Sequence, residues 1–277
     1  MSDVKIADIL SGDEFRPVRS GLIRAAAGES CIRAAADPRR LRLEVEAGAH
    51  LSLAILHTEA RECTVELEIG EGASVEVADI FLCHSFESVV VRQQAGSRCT
   101  FTVAELGGGN ASYRAELKGA EAEWSFNGVF VGTDSDRCSI ALDTRHETAE
   151  CRSASMVKGV VSGRAAGDFR GLVYVAPDAQ RTDARQQSRN IELSSDAHIV
   201  VQPQLEIYAD DVKCSHGATV GHRDEEALFY MRQRGLSERE AERLQIEGFV
   251  KDITMHCFGD SLREALEGAI DDKLSKL

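Results

Sequence analysis

Positive charge, long apolar runs and closely paired cysteines are all scarce in this 277-residue chain. Lys and Arg total 32 against 46 Asp and Glu, giving a formal net charge of −14. A non-specific nucleic-acid binder needs a basic face to displace counterions from phosphates, so no nucleic-acid partner is expected. No stretch approaches the roughly 18 apolar residues of a membrane-spanning helix, so no membrane partner is expected either. The opening MSDVKIADILSGDEF carries acids where a secretory signal has a basic and then an apolar run, which points to a cytoplasmic protein. The eight cysteines, at 31, 63, 83, 99, 138, 151, 214 and 257, lack both the paired spacing of a structural zinc site and the density of a disulfide scaffold. The P-loop, the Rossmann fingerprint, H-E-x-x-H and G-x-S-x-G are missing too. ATP hydrolysis by a P-loop is therefore not expected of this chain.

What the sequence does contain is short alternation of apolar and polar residues, the period of a half-buried strand. LRLEVE (41–46), CTVELEI (63–69), SVEVADIFL (74–82), CTFTVAEL (99–106) and WSFNGVFV (124–131) all show it. Gly48-Ala49, Gly72-Ala73, Gly96-Ser97 and Gly119-Ala120 each precede such a run, at spacings of 24, 24 and 23 residues. Weaker turn sites near Asp134, Ala149, Arg164, Ala179 and Ser195 recur about every 15 residues. A fixed period of turn and strands predicts a β-solenoid, in which each coil stacks on the next. A β-sandwich also has regular turns but rarely repeats their sequence. The last 55 residues are helical in pattern. Asp224-Glu225-Glu226 opens one helix and Gly235 ends it; Ser237 with Glu240 forms a capping box, and Ser261 with Glu264 predicts a second. Leu262, Ala265, Leu266, Ala269 and Ile270 form one apolar face, which must pack on the solenoid end or on a partner. The expected division is a short N-terminal segment over 1–40, a β-helix core over 41–222 and a helical module over 223–277.

Chemistry concentrates in 203–222, PQLEIYADDVKCSHGATVGH. On a strand, Cys214 and His216 are two residues apart and project from one face. A thiolate beside an imidazole suits a soft or borderline metal such as iron or zinc, and Asp210 and Asp211 are near enough in sequence to add an oxygen or to support a ligand. Two ligands do not close a metal site, so the missing ones are expected from another chain. The bland alternative is a buried Cys and a hydrogen-bonded His at a sheet edge. His50, His57, His84, His146 and His198 each sit in or beside an alternating run and read as ordinary surface or core histidines. Gly107-Gly108-Gly109 reads as a solenoid corner rather than a phosphate cradle.

Residues 181–253 resemble the C-terminal part of the SufB/SufD family of iron–sulfur cluster assembly proteins, through PQLEIYADDVKCSHGATVG, then DEEALFYMRQRGL, then the EGF element at 247–249. The resemblance implies an all-β core, a right-handed parallel β-helix, with a C-terminal α-helical module that docks a SufC-like ABC-type ATPase. It implies a second chain, either a SufB-like paralogue in a heterodimer or another copy in a homodimer. In the SufD branch the K-C-S-H block lies at that interface, so Cys214 and His216 are the expected cofactor-binding and metal residues, holding a transient iron–sulfur cluster. The SufB branch has H-E-A-T where this chain has His216-Gly217-Ala218-Thr219. It also carries a cysteine in a block aligned with Ser194–His198, where this chain has none. Both departures favour a compact SufD-like, non-catalytic assembly subunit. The alternatives are a minimal homodimeric scaffold with its ATPase, or a cytoplasmic β-helix enzyme acting on carbohydrate through groove carboxylates.

Overall fold

Residues that alternate inward and outward cannot bury their apolar half within a single strand, so the strands stack. The structure, a computed structural model, describes Ile6, Asp8, Leu10, residues 15–18 and residues 21–277. Among these are seventeen strands, from β1 (Arg16–Val18) to β17 (Lys213–Gly221). Odd-numbered strands form a nine-stranded sheet and even-numbered strands an eight-stranded one, each strand pairing with the strands two before and two after it. All pairings are parallel. One strand from each sheet makes a coil, and the whole is a two-sheet parallel β-helix.

From His50 onward, register partners in the nine-stranded sheet are separated by 24, 24, 25, 29, 31 and 30 residues. The 15-residue spacing in the second half of the sequence is therefore half a coil: each of those turns is one of two corners. The corners explain why the glycine signal fades. Gly48, Gly72 and Gly96 adopt positive φ, and each donates its N–H to a carbonyl of the following coil. In later coils Glu121, Glu150 and Arg181 take the same conformation and make the same bond. Gly119 has a different task. A Cβ there would lie 1.9 Å from the Ala95 backbone nitrogen, so glycine allows the two coils to touch.

Three strands, β1, β2 (Gly21–Ala25) and β3 (Ser30–Ala36), precede residue 41, so the stack reaches further towards the N-terminus than a core beginning there. Their inward positions are mixed, with Arg16 and Val18 in β1, Gly21, Ile23 and Ala25 in β2, and Cys31, Arg33 and Ala35 in β3, which blurs the alternation. The interior is a continuous apolar column that includes Leu51, Leu53, Ile55, Val75 and Val77. Phe101, Tyr113, Trp124 and Phe126 stack within it, with ring centroids 4.9–5.8 Å apart along the chain of contacts. Each such side chain removed from water stabilises the fold by about 1.5–3 kcal/mol.

Three helices follow: α1 (Glu225–Gln233), α2 (Glu238–Thr254) and α3 (Asp260–Leu274). Asp224 caps α1 by accepting from the Glu226 and Ala227 N–H groups, and Ser237 and Glu240 make the expected capping box on α2. The second box is not formed. Gly259, at φ 71°, turns the chain sharply and serves as N-cap, so α3 starts at Asp260 and Ser261 falls inside its first turn.

The apolar faces of α2 and α3 pack on the outer face of the nine-stranded sheet, not on the solenoid end. Ile246, Val250, Leu262, Leu266 and Ile270 meet Leu56, Ile80, Val129, Val131 and Val160, whose outward positions are apolar there. Two ion pairs fix the docking. Lys158 Nζ donates to both Asp252 oxygens at 2.7 Å, and Lys273 Nζ lies 2.6 Å from Asp136 Oδ2. Side docking leaves the C-terminal end of the stack uncovered.

Candidate functional site

That end is formed by β16 (His198–Ile207) and β17, each the last strand of its sheet and each with one free edge. Cys214 and His216 both lie on β17, opposite Ala184 and Gln186 of β15 (Asp183–Glu192). Strand parity puts both side chains on the inward face, about 6.5–7 Å apart along the strand. No coil lies above them. Cys214 is half-buried and His216 is exposed, while their partners Ala184 and Gln186 are buried.

The column changes character on reaching this end. Gln186, Ser188 and Asn190 bring three polar side chains to inward positions whose partners one coil earlier are Ser155, Val157 and Gly159. Gln186 donates to the Gly171 carbonyl at 3.2 Å, and Asn190 to Ser188 Oγ at 2.9 Å and the Thr219 carbonyl at 3.1 Å. A polar, hydrogen-bonded last layer tolerates water where an aliphatic one would not. From β16, Val201, Pro203, Leu205 and Ile207 turn to the same open end, sharing register rows with inward Phe169, Gly171, Val173 and Val175. Ile207, Tyr208 and Val220 are exposed large apolar residues there. The result is a small apolar face carrying one thiol and one imidazole.

Burial pushes the Cys214 thiol above its ordinary pKa, partly offset by a hydrogen bond with the Ala184 backbone. An incoming metal therefore has to displace the proton to gain a thiolate ligand. Asp210 and Asp211 occupy the corner before β17. Asp211 is tied to the preceding coil by its backbone, donating to Gln180 Oε1 and accepting from the Arg181 N–H. Among the described residues, neither aspartate joins Cys214 and His216 in a three-ligand cluster. Cys214 and His216 are thus one sulfur and one imidazole donor on the same face of the last strand.

Six of the cysteines, 31, 63, 99, 138, 151 and 257, are buried as small apolar side chains. Gly107 and Gly108 make a corner and Gly109 starts a strand, as expected. Among the histidines, His57 departs from the expectation. It ends β5 (His50–His57) pointing inward, where Nε2 lies 3.1 Å from Asp79 Oδ1 and 3.7 Å from Glu87 Oε1, all three buried. Asp79 comes from β7 (Ser74–Phe81) and Glu87 from β8 (Ser85–Gln93), so three strands build the cluster. Burial alone would lower the His57 pKa, yet the two carboxyls raise it to about 10, and burial with the neighbouring Asp79 charge raises Glu87 to about 8. The missed signal was a polar residue in an inward position: His57 follows Leu51, Leu53 and Ile55, and Asp79 follows Val75 and Val77.

The family model for the SUF system FeS cluster assembly, SufBD core domain, matches residues 28–249. The chain belongs to the SufBD family. It is 33% identical over 159 residues to the iron–sulfur cluster assembly protein SufD of Escherichia coli, covering 57% of this chain and 38% of that protein. It is 34% identical over 116 residues to SufD of Bacillus subtilis, 42% of this chain and 26% of that protein. A SufBD family protein of Synechocystis is 45% identical over 115 residues, 42% of this chain and 24% of that protein. The matched stretches thus span under half the length of each of these relatives. The matches support the SufD branch of that family.

A carbohydrate-active site would need two carboxylates beside a groove. On the outer face of the eight-stranded sheet, Glu44, Glu46 and Glu68 line one depression, and the lining of another, of about 530 Å³, holds one carboxylate, Asp143. Arg114 and Arg145 each donate to its Oδ2 at 3.0 Å, so it is committed to ion pairs.

Proposed function

We propose that this chain is a SufD-like, non-catalytic subunit of a cytoplasmic SUF assembly complex, and that its open solenoid end is the assembly face. A second SufBD chain, a SufB-like paralogue or another copy, docks on β16 and β17. Cys214 and His216 then supply two ligands to a nascent cluster, and the second chain supplies the rest. The observation that carries this reading is the uncovered last coil with a thiol and an imidazole side by side on its inward face. A chain built to hold a metal alone would bring a third ligand to that point.

Residues 223–277 are the docking module for an ABC-type ATPase. α1 supports this: Leu228 is its one buried residue, while Phe229 and Tyr230 are 63% and 59% exposed. Two large aromatics held outward on a capped helix suit a partner groove. Closure of the ATPase dimer would move α2 and α3, which are fastened to the sheet by Lys158 and Lys273, and so strain the open end.

The test is anaerobic cluster formation by the complex carrying Cys214→Ala with His216→Ala. The expected result is a loss of cluster yield of at least tenfold, with ATPase binding unchanged. A normal yield would overturn the assignment of these residues.

A further inference from the structure

The edge pair is not the only set of metal-competent side chains in the molecule. We propose that His57, Asp79 and Glu87 form a second site, inside the solenoid, for a divalent first-row transition ion held by nitrogen and oxygen donors. Nothing in this assignment depends on the role given to Cys214 and His216.

Geometry supports it first. The three ligand atoms lie within 4.8 Å of one another, with 3.1 Å and 3.7 Å from His57 Nε2 to the two carboxylate oxygens. For bonds near 2.1 Å, a tetrahedral ion spaces its ligands about 3.4 Å apart, which those two distances bracket. The three groups would leave the fourth tetrahedral position to water or another donor.

The surroundings orient two of the three ligands, as metal sites require. Tyr113 donates its hydroxyl to Asp79 Oδ2 at 2.8 Å, leaving Oδ1 turned towards His57. The His57 ring stacks on Phe81 with centroids 4.2 Å apart, which fixes its plane. Glu105 of β9 (Arg98–Glu105) continues the register row of His57 and Phe81. Ser139 donates its backbone N–H to one oxygen at 3.1 Å, while the other is buried without a partner.

Incomplete hydrogen bonding of a fully buried carboxyl is the second, independent observation. The Glu87 side chain is fully buried, with His57 Nε2 3.7 Å from Oε1 and with Asp79 and the Cys63 thiol beside it, but neither oxygen makes a hydrogen bond of ordinary length. Among the described residues, no Lys or Arg pairs with Asp79 or Glu87; the imidazole is the one basic group facing two carboxylates. A buried carboxyl without a close hydrogen-bond partner is costly, and a cation that displaces its proton and is shared with Asp79 and His57 would give its oxygens partners. One imidazole with two carboxylates suits borderline divalent ions such as Zn(II), Fe(II) or Mn(II), and not a thiophilic ion such as Cu(I).

The experiment uses the full chain carrying Cys214→Ser and His216→Ala, so that the edge donors cannot bind. Titration with Co(II) should show one ion per chain and a visible d–d spectrum without a thiolate charge-transfer band. Adding Glu87→Gln, which keeps the shape of the side chain, should weaken binding at least tenfold. Zn(II) should raise the unfolding temperature of the edge double variant, because an ion bound only to the folded state stabilises it by mass action. That measurement needs no substitution in the cluster. Absence of binding at millimolar Co(II), a thiolate band, unchanged affinity after Glu87→Gln, or no Zn(II)-dependent thermal shift would each overturn the proposal.

Discussion

Asp252→Ala would leave the ammonium of Lys158 in a nearly closed space between sheet and helix. Lys158 extends outward from β13 (Arg152–Val161) beneath α2, its side chain 6% exposed. Nζ donates to both Asp252 oxygens and, at 2.6 Å, to the Phe249 carbonyl, and it sits 4.8 Å above the Phe249 ring. Removing one partner of a fully buried pair costs about 3–5 kcal/mol. Asp252 is 58% exposed, so water already screens part of the attraction, and the discounted loss is about 2 kcal/mol. Lys158→Met should behave differently. It keeps the apolar stem, removes the buried charge and leaves Asp252 in water, so the expected change stays within about 1 kcal/mol. The double variant should match Lys158→Met, because no stranded charge remains. Urea denaturation gives the global values, and hydrogen exchange across α2 reads release of the helical module directly. A larger cost for Lys158→Met than for Asp252→Ala, or additive effects in the double variant, would refute the reasoning.

Two further perturbations probe the stack. Gly119→Ala places a methyl 1.9 Å from the Ala95 backbone and should cost about 3 kcal/mol or more. Gly72→Ala meets open space at φ 63° and should cost about 1–2 kcal/mol; equal losses in urea denaturation would contradict the close-approach role of Gly119. His146 is buried, its Nε2 2.9 Å from Ser153 Oγ, and burial lowers its pKa to about 4. The unfolded chain protonates near pH 6.5 while the folded one resists, so stability is full above that pH and declines as pH falls. By pH 4 the loss reaches about 3 kcal/mol and then levels off. His146→Asn should flatten that part of the stability profile, and an unchanged profile would assign the pH dependence elsewhere.

The strands were legible because each inward column is apolar over several coils: Leu51, Val75 and Cys99 share one register row, and Leu53, Val77 and Phe101 another. The same parity argument put Cys214 and His216 on one face without any structure. Coil length in the second half was not legible, since its corners use Glu121, Glu150 and Arg181 in place of glycine and so hide the left-handed position. The apolar face of α3 was visible at helical spacing, but not its destination. Residues such as Leu56, Ile80 and Val131 serve an outer surface and look in sequence like any other strand positions. The His57 cluster escaped because its members come from three strands, and only the stacking register brings them together.

The central claim is that the open end of the solenoid receives a second SufBD chain. The direct measurement is native mass spectrometry of the tagged protein, purified anaerobically from its own cell. Docking at the open end predicts a complex holding two SufBD chains, this one with a paralogue or with its copy, together with an ABC-type ATPase. A monomer without either partner would contradict it.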